Sequence, residues 1–221
     1  KFAYAYGTQA LAAAPNSIAS GTDAAATMNN AIAFGTDATS RADEGIAIGR
    51  SAIAGTSSKA ALAIGDNSFA KEENAIAVGA NSIANGQNSY ASGAAAVAKG
   101  DNIIAIGAGA TAYGEETSNP LALQAQPGSE SNLNSDFLVG ESSSQRRKRI
   151  DGAVSDGQNL IAIGADATAT GIGATAIGAD AKSNGFQAMA LGQSAIASGK
   201  NSVALGTQAN ASGSQAMALS K

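Results

Sequence analysis

From Asn159 to Gly206 the chain states one rule four times in succession: NLIAIGADATATG, IGATAIGADAKSNG, FQAMALGQSAIASG and KNSVALG. Gly164, Gly178, Gly192 and Gly206 stand 14 residues apart, and Gly171, Gly185 and Gly199 bisect the intervals. Each half-interval holds about five residues of alternating character between turn residues, which is strand length with strand period. Self-similarity at a fixed short period is the signature of a solenoid, in which each repeat contacts only its neighbours. One repeat therefore reads as one two-strand coil of an all-β roll.

The same register runs from the start of the chain, marked by Gly7, Gly21, Gly35 and Gly49 and then by Gly65, Gly79, Gly93 and Gly107. Only the step from Gly49 to Gly65 is longer, at 16 residues, and the two extra residues are expected in the Gly55-Thr56-Ser57-Ser58 turn, where lengthening a loop costs little. The register is interrupted once. After Gly107, AGATAYG completes a second strand, and Asn119-Pro120-Leu121-Ala122-Leu123 reads as the next first strand, shifted by three residues. Gln124 to Gln158 carries no repeat; it holds Pro127, the apolar Phe137-Leu138-Val139-Gly140 and the basic run Arg146-Arg147-Lys148-Arg149. The expected division is repeats over 1–123, an irregular insertion over 124–158 and repeats over 159–221.

The residue two before each marker is always Ala, including Ala47, Ala63, Ala77, Ala105, Ala162, Ala176, Ala190 and Ala204. Its flanking positions are larger, as in Ile46 and Ile48, Ile76 and Val78, or Val203 and Leu205. In the other strand the third and fifth residues after the marker are almost always Ala or Ser, with mixed residues such as Thr168, Lys182 and Asn210 between them facing water. Facing sheets lie about 10 Å apart, a gap that two rows of methyl groups do not fill. This predicts Ile, Leu and Val inside the roll and the Ala column outside, as a stripe that admits the close approach of another copy of the chain. A monomeric roll with an incidental stripe is the plainer alternative.

Five residues before the marker the chain repeatedly offers an amide: Asn16, Asn30, Asn74, Asn88, Asn102, Asn159 and Asn201. Stacked Asn at turns can hydrogen-bond between coils and tolerate turn geometry, so their expected role is structural, with ligand contact the alternative. The chain has no Cys and no His, so zinc, haem and thiol chemistry have no residues to use. Its net charge of −4 argues against a nucleic-acid face. No metal, cofactor or catalytic residue is assigned. Asp23, Asp37, Asp166 and Asp180 are each alone in their turns, unlike the dense carboxylates of calcium rolls. An ice-binding surface would need a regular Thr array, and only Thr168 and Thr170 form such a pair. No signal peptide opens the chain, and no apolar run approaches the roughly 20 residues of a membrane span, so any anchor is expected elsewhere.

The repeats NSIASG, NAIAFG, NAIAVG and NSVALG, with their linking AxAxG strands, resemble the head repeats of YadA-like trimeric autotransporter adhesins. The stretch VGESSSQRRKRIDGAVSDG is similar to the family's neck and head-insert pattern at Val139, Gly140, Arg149, Ile150, Val154 and Gly157, and departs from it by four consecutive basic residues and one extra residue before the closing Gly. The resemblance implies a left-handed parallel β-roll, three subunits about one axis, and a head held at the bacterial surface by a stalk and an outer-membrane anchor outside these residues. It implies a non-enzymatic adhesin whose partners are itself and the extracellular-matrix proteins, cell-surface receptors or glycans of a host, reached by many weak contacts. The competing reading is a spacer that holds another binding tip away from the cell. The basic run Arg146, Arg147, Lys148 and Arg149 has three readings: pairing with a neighbouring subunit's carboxylates, a solvated loop, or an anionic ligand site.

Overall fold

The computed structural model describes residues 2–55, 59–113 and 160–220. Among them the chain forms 25 strands of two or three residues and no helix. Alternate strands fall into two parallel sheets. A 13-stranded sheet runs from Tyr4–Tyr6 through Ile76–Val78 to Met217–Leu219, and a 12-stranded sheet runs from Leu11–Ala12 through Ile83–Asn85 to Asn210–Ala211. Each strand pairs with the strand one coil away, like on like: Ala77 lies between Ala63 and Ala91, and Phe69 between Ile53 and Ile83. This is the parallel solenoid that the glycine period predicts.

Turn chemistry keeps the strands short. After a strand of the first sheet, the marker glycine and the residue two further on both take positive φ, as in Gly35 at 132° with Asp37 at 56° and Gly178 at 133° with Asp180 at 56°. The opposite corner places Asn30, Asn74, Asn88 and Asn201 in the left-handed region, with φ between 54° and 56°. Asn and Asp are the non-glycine residues that enter this region at least cost, because a short polar side chain can bond locally. The recurring Asp23, Asp37, Asp166 and Asp180 are thus explained by backbone geometry. The marker itself must be Gly. A Cβ built on Gly79 would run into the carbonyl of Gly93 in the next coil, whose carbon lies 2.6 Å away, because coils stack at β-ladder spacing.

The register survives both irregularities. Ser40 pairs with Ala54, whereas Asp43 bridges to Lys59. The two extra residues are therefore confined to 55–58, as expected. Beyond Tyr113 the stack resumes at Leu160: Ala105 pairs with Ala162, and the Thr111 N–H donates to the Ala167 carbonyl at 2.7 Å. The place beside Ile104–Ile106 belongs to Ile161–Ile163. The strand expected at 119–123 lies outside the described residues, as does the insertion.

The interior corrects the expected side-chain assignment. Ala47, Ala63, Ala77, Ala105, Ala162, Ala176, Ala190 and Ala204 are all fully buried inside the roll, at 0% exposure. In one coil, Ala75 and Ala77 from the first sheet and Ser82 and Ala84 from the second all point inward and are fully buried, while Ile76 and Val78 face out and are half-buried. Small residues on both walls let the sheets come together. With every inward residue of this coil fully buried, the two walls meet through methyl and hydroxymethyl groups rather than through large side chains. Serine alternates with alanine in this core because its hydroxyl can return to a local carbonyl. Ser17 donates to Ala14 O at 2.7 Å, and Ser82 donates to Gly79 O at 2.8 Å. The larger exceptions, Ile103 and Leu160, are fully buried in the two neighbouring coils that flank the insertion.

Candidate functional site

A roll with an alanine interior must carry its large residues outside. On the first sheet these form two ladders, one residue and three residues before each marker, each rung stacked on its equivalent in the next coil. Ile46, Leu62, Ile76 and Ile104 belong to one ladder, and Phe34, Ile48, Val78 and Ile106 to the other. No charged residue occupies either ladder in any strand of the 13-stranded sheet. Phe34 is 56% exposed, and Ile48, Ile106 and Ile177 are each 38% exposed, although strands flank them on both sides. Twelve coil steps at ~4.8 Å make a strip about 58 Å long and at least about 7 Å wide, on the order of 400 Å² in plan. A contiguous uncharged face of that size on a water-facing protein marks an interaction surface.

The rims of the roll are polar and laddered. Asn16 donates to Asn30 at 3.1 Å, Asn74 to Asn88 at 3.1 Å and Asn88 to Asn102 at 3.2 Å. Asn201 occupies the same left-handed corner, and Asn159 lies outside the described residues. Further along the rims, the Asn29 amide contacts Asp43, and the Gln87 backbone N–H donates to the Asp101 carboxylate at 2.7 Å. The Arg50 guanidinium makes two hydrogen bonds to Asp66, at 3.0 and 2.6 Å. That hydrogen bonding, and then the Asp66 charge, raise the Arg50 pKa above its ordinary value. Both side chains are exposed, so water and salt screen the pair. On the outer face of the second sheet Lys99 Nζ sits 5.8 Å from the centre of the Tyr113 ring.

The model of the YadA head domain repeat, two copies to a match, fits residues 2–24, 26–52, 55–82, 84–110, 155–181, 183–209 and 197–219. The chain belongs to the YadA head family. It is a YadA-like head, built from the repeat of trimeric autotransporter adhesins, an adhesion module on a β-solenoid of a kind that is typically non-enzymatic. No curated protein matches the chain. The full YadA matches span about two coils each and stop on either side of 111–154, the stretch that contains the basic run. Arg146, Arg147, Lys148 and Arg149 lie outside the described residues.

Sequence reasoning found the coils of this YadA-like head and its amide ladders but chose the wrong stripe for its exterior. The signal that identifies the Ala column as interior lies four residues before each marker. Ser17, Ala31, Gly45, Ala61, Ala75, Ser89, Ala174, Ala188 and Ser202 are all small, with Ile103 and Leu160 beside the insertion as the exceptions, and residues two apart in a strand share a face. Two small positions on one wall, opposite two small positions on the other, already describe a closed core of methyl groups.

Proposed function

We propose that this YadA-like head acts as a homotrimer at a bacterial surface and attaches to extracellular-matrix or cell-surface molecules of a host. The observation that carries the reading is the uncharged double ladder along the whole first sheet, made of Ile, Leu, Val, Met and aromatic residues and broken only by Ser20, Ser92 and Thr175. Left in water, that strip is an association surface of undiminished strength; covered by two sister chains around a common axis, it becomes a second hydrophobic core shared between subunits. Three rolls side by side then present their second sheets and polar rims outward. Weak contacts repeated every coil, in three copies, combine by avidity without a deep pocket. An anchor outside these residues holds the head at the outer membrane.

Sedimentation equilibrium tests the assembly. The expected species is a trimer, and Ile76→Asp with Ile104→Asp converts it to monomers that keep their β-sheet signal. A folded lone particle of 21.4 kDa at high concentration overturns the reading. Binding to collagen, fibronectin, laminin and host cells tests the adhesive part. A trimer that binds none of them is a spacer. Heparin retention before and after changing Arg146, Arg147, Lys148 and Arg149 to Ser separates the roles of the basic run: lost retention with the trimer intact makes it an anionic-ligand site, and loss of the trimer makes it a subunit contact.

A further inference from the structure

Each coil turns a corner on either side of the uncharged strip, an entry corner before the strand of the first sheet and an exit corner after it. The strip is uncharged throughout, but these corners are not. In the coil of Ile46–Ile48, Asp43 and Glu44 hold the entry corner and Arg50 the exit corner. One coil on, around Leu62–Ile64, the signs are reversed: Lys59 precedes the strand and Asp66 follows it. Glu44, Arg50 and Lys59 are exposed. The Arg50 fork to Asp66 employs Nε and Nη2, which orders both side chains along the exit edge and leaves Nη1 to reach beyond it.

Three rolls about an axis parallel to the rod, each turning its first sheet inward, meet along their edges, with the entry corners of one beside the exit corners of the next. Rotation about that axis moves nothing along it, so each coil meets the same coil of its neighbour. Asp43 and Glu44 then face Arg50, and Lys59 faces Asp66. Among the described residues no coil brings like charges to its two corners: Asp37, Glu73, Asp101, Asp180 and Lys200 each stand opposite uncharged residues. A slip of one coil destroys the match. In one direction it sets Asp43 and Glu44 against Asp66; in the other it sets them against Asp37, with Lys59 against Arg50 and Glu73 against Asp66. The strip itself repeats every coil and resists such a slip weakly, and a slipped contact does not close but propagates as a staggered fibre. We propose that Asp43, Glu44 and Lys59 on one edge, with Arg50 and Asp66 on the other, lock the register between subunits. They accept a second copy of this chain at equal height and reject one a coil out of step. The lock presupposes that the head is a trimer joined through the uncharged strip.

Two charge swaps test the lock without altering net charge. Glu44→Lys with Lys59→Glu exchanges the signs on the entry edge. Arg50→Asp with Asp66→Arg exchanges them on the exit edge and keeps an ion pair within the chain. Each swap alone is expected to weaken trimer association about tenfold or more in sedimentation equilibrium at low salt, because corner contacts along all three edges lose attraction or become repulsive. Both swaps in one chain are expected to restore the affinity to within about threefold. The differences are expected to vanish near 1 M salt, where the screening length falls to about 3 Å. A trimer whose affinity neither swap changes, or a combined variant as weak as the weaker single swap, overturns the lock and leaves the trimer standing. An unaltered chain that remains a monomer overturns both.

Discussion

Replacing Ala77 by Leu exchanges a methyl for an isobutyl group at a position that is fully buried and shares one packed cluster with Ala63, Ala70, Ala75, Ala84 and Ala91. The larger group must push against these neighbours, because Ala63 and Ala91 stand directly on either side in the ladder. Nor can the two sheets part locally, since the hydrogen bonds between coils on both sides bind them to the next coils; the Ile76 N–H donates to Ser89 O at 2.9 Å, and the Ile83 N–H to Ala96 O at 2.8 Å. Overpacking of a tight core costs typically 1–3 kcal/mol, and a site this confined belongs at about 3 kcal/mol. For a chain of this size that lowers Tm by roughly 6–12 °C. Thermal melts followed by far-UV circular dichroism across a dilution series measure it. A loss inside the subunit is independent of protein concentration, whereas a clash between subunits grows on dilution. A drop of less than about 2 °C, or one that depends on concentration, refutes the interior placement of the Ala column.

Gly79→Ala sets a Cβ against the Gly93 carbonyl at a φ of 129°, and is expected to cost at least about 2 kcal/mol, read as a lower urea midpoint. At Asn88, whose φ is 54° and which bonds both Asn74 and Asn102, Gly keeps the backbone conformation and loses only exposed hydrogen bonds. Asn88→Val adds left-handed strain of about 1–2 kcal/mol, so Val is expected to melt lower than Gly. Ser183 is buried with no hydrogen-bond partner for its hydroxyl among the described residues, and Ser183→Ala is expected to stabilise the roll by on the order of 1 kcal/mol in the same denaturation assay. Burial raises the Tyr113 hydroxyl above its ordinary pKa of 10.0. The folded chain thus holds this proton more tightly than the unfolded one, and the associated stability, complete below about pH 10, is lost as pH rises further. Tyr113→Phe is expected to flatten that alkaline loss in melts taken between neutral pH and about pH 11.

Periodicity carried much of this molecule on its face. A marker glycine every 14 residues dictates the coil, because at ladder spacing only Gly lets one carbonyl pass beneath the next. The corner amides were equally legible, since Asn and Asp at these offsets answer a left-handed backbone requirement that can be read from residue type. Even the 16-residue step announced where its surplus would go, because Gly55 and the Ser-rich residues after it formed the only part of that coil free of strand alternation.

Alternation, however, divides a strand into two faces without saying which is inside. Ile76 and Ala77 obey the same period under either assignment. The usual sheet spacing favours Ile within, and only the assembled coil, with Ser82 and Ala84 facing Ala75 and Ala77 from the opposite wall, shows that small residues alone close the interior. The large residues were thereby turned out along the whole first sheet, and Phe69 with its neighbours was turned out on the second. The sequence determined by itself how the chain coils, since that depends on local backbone geometry. Which side of each strand meets water depended on the distance between two sheets, a quantity that exists only once both are in place.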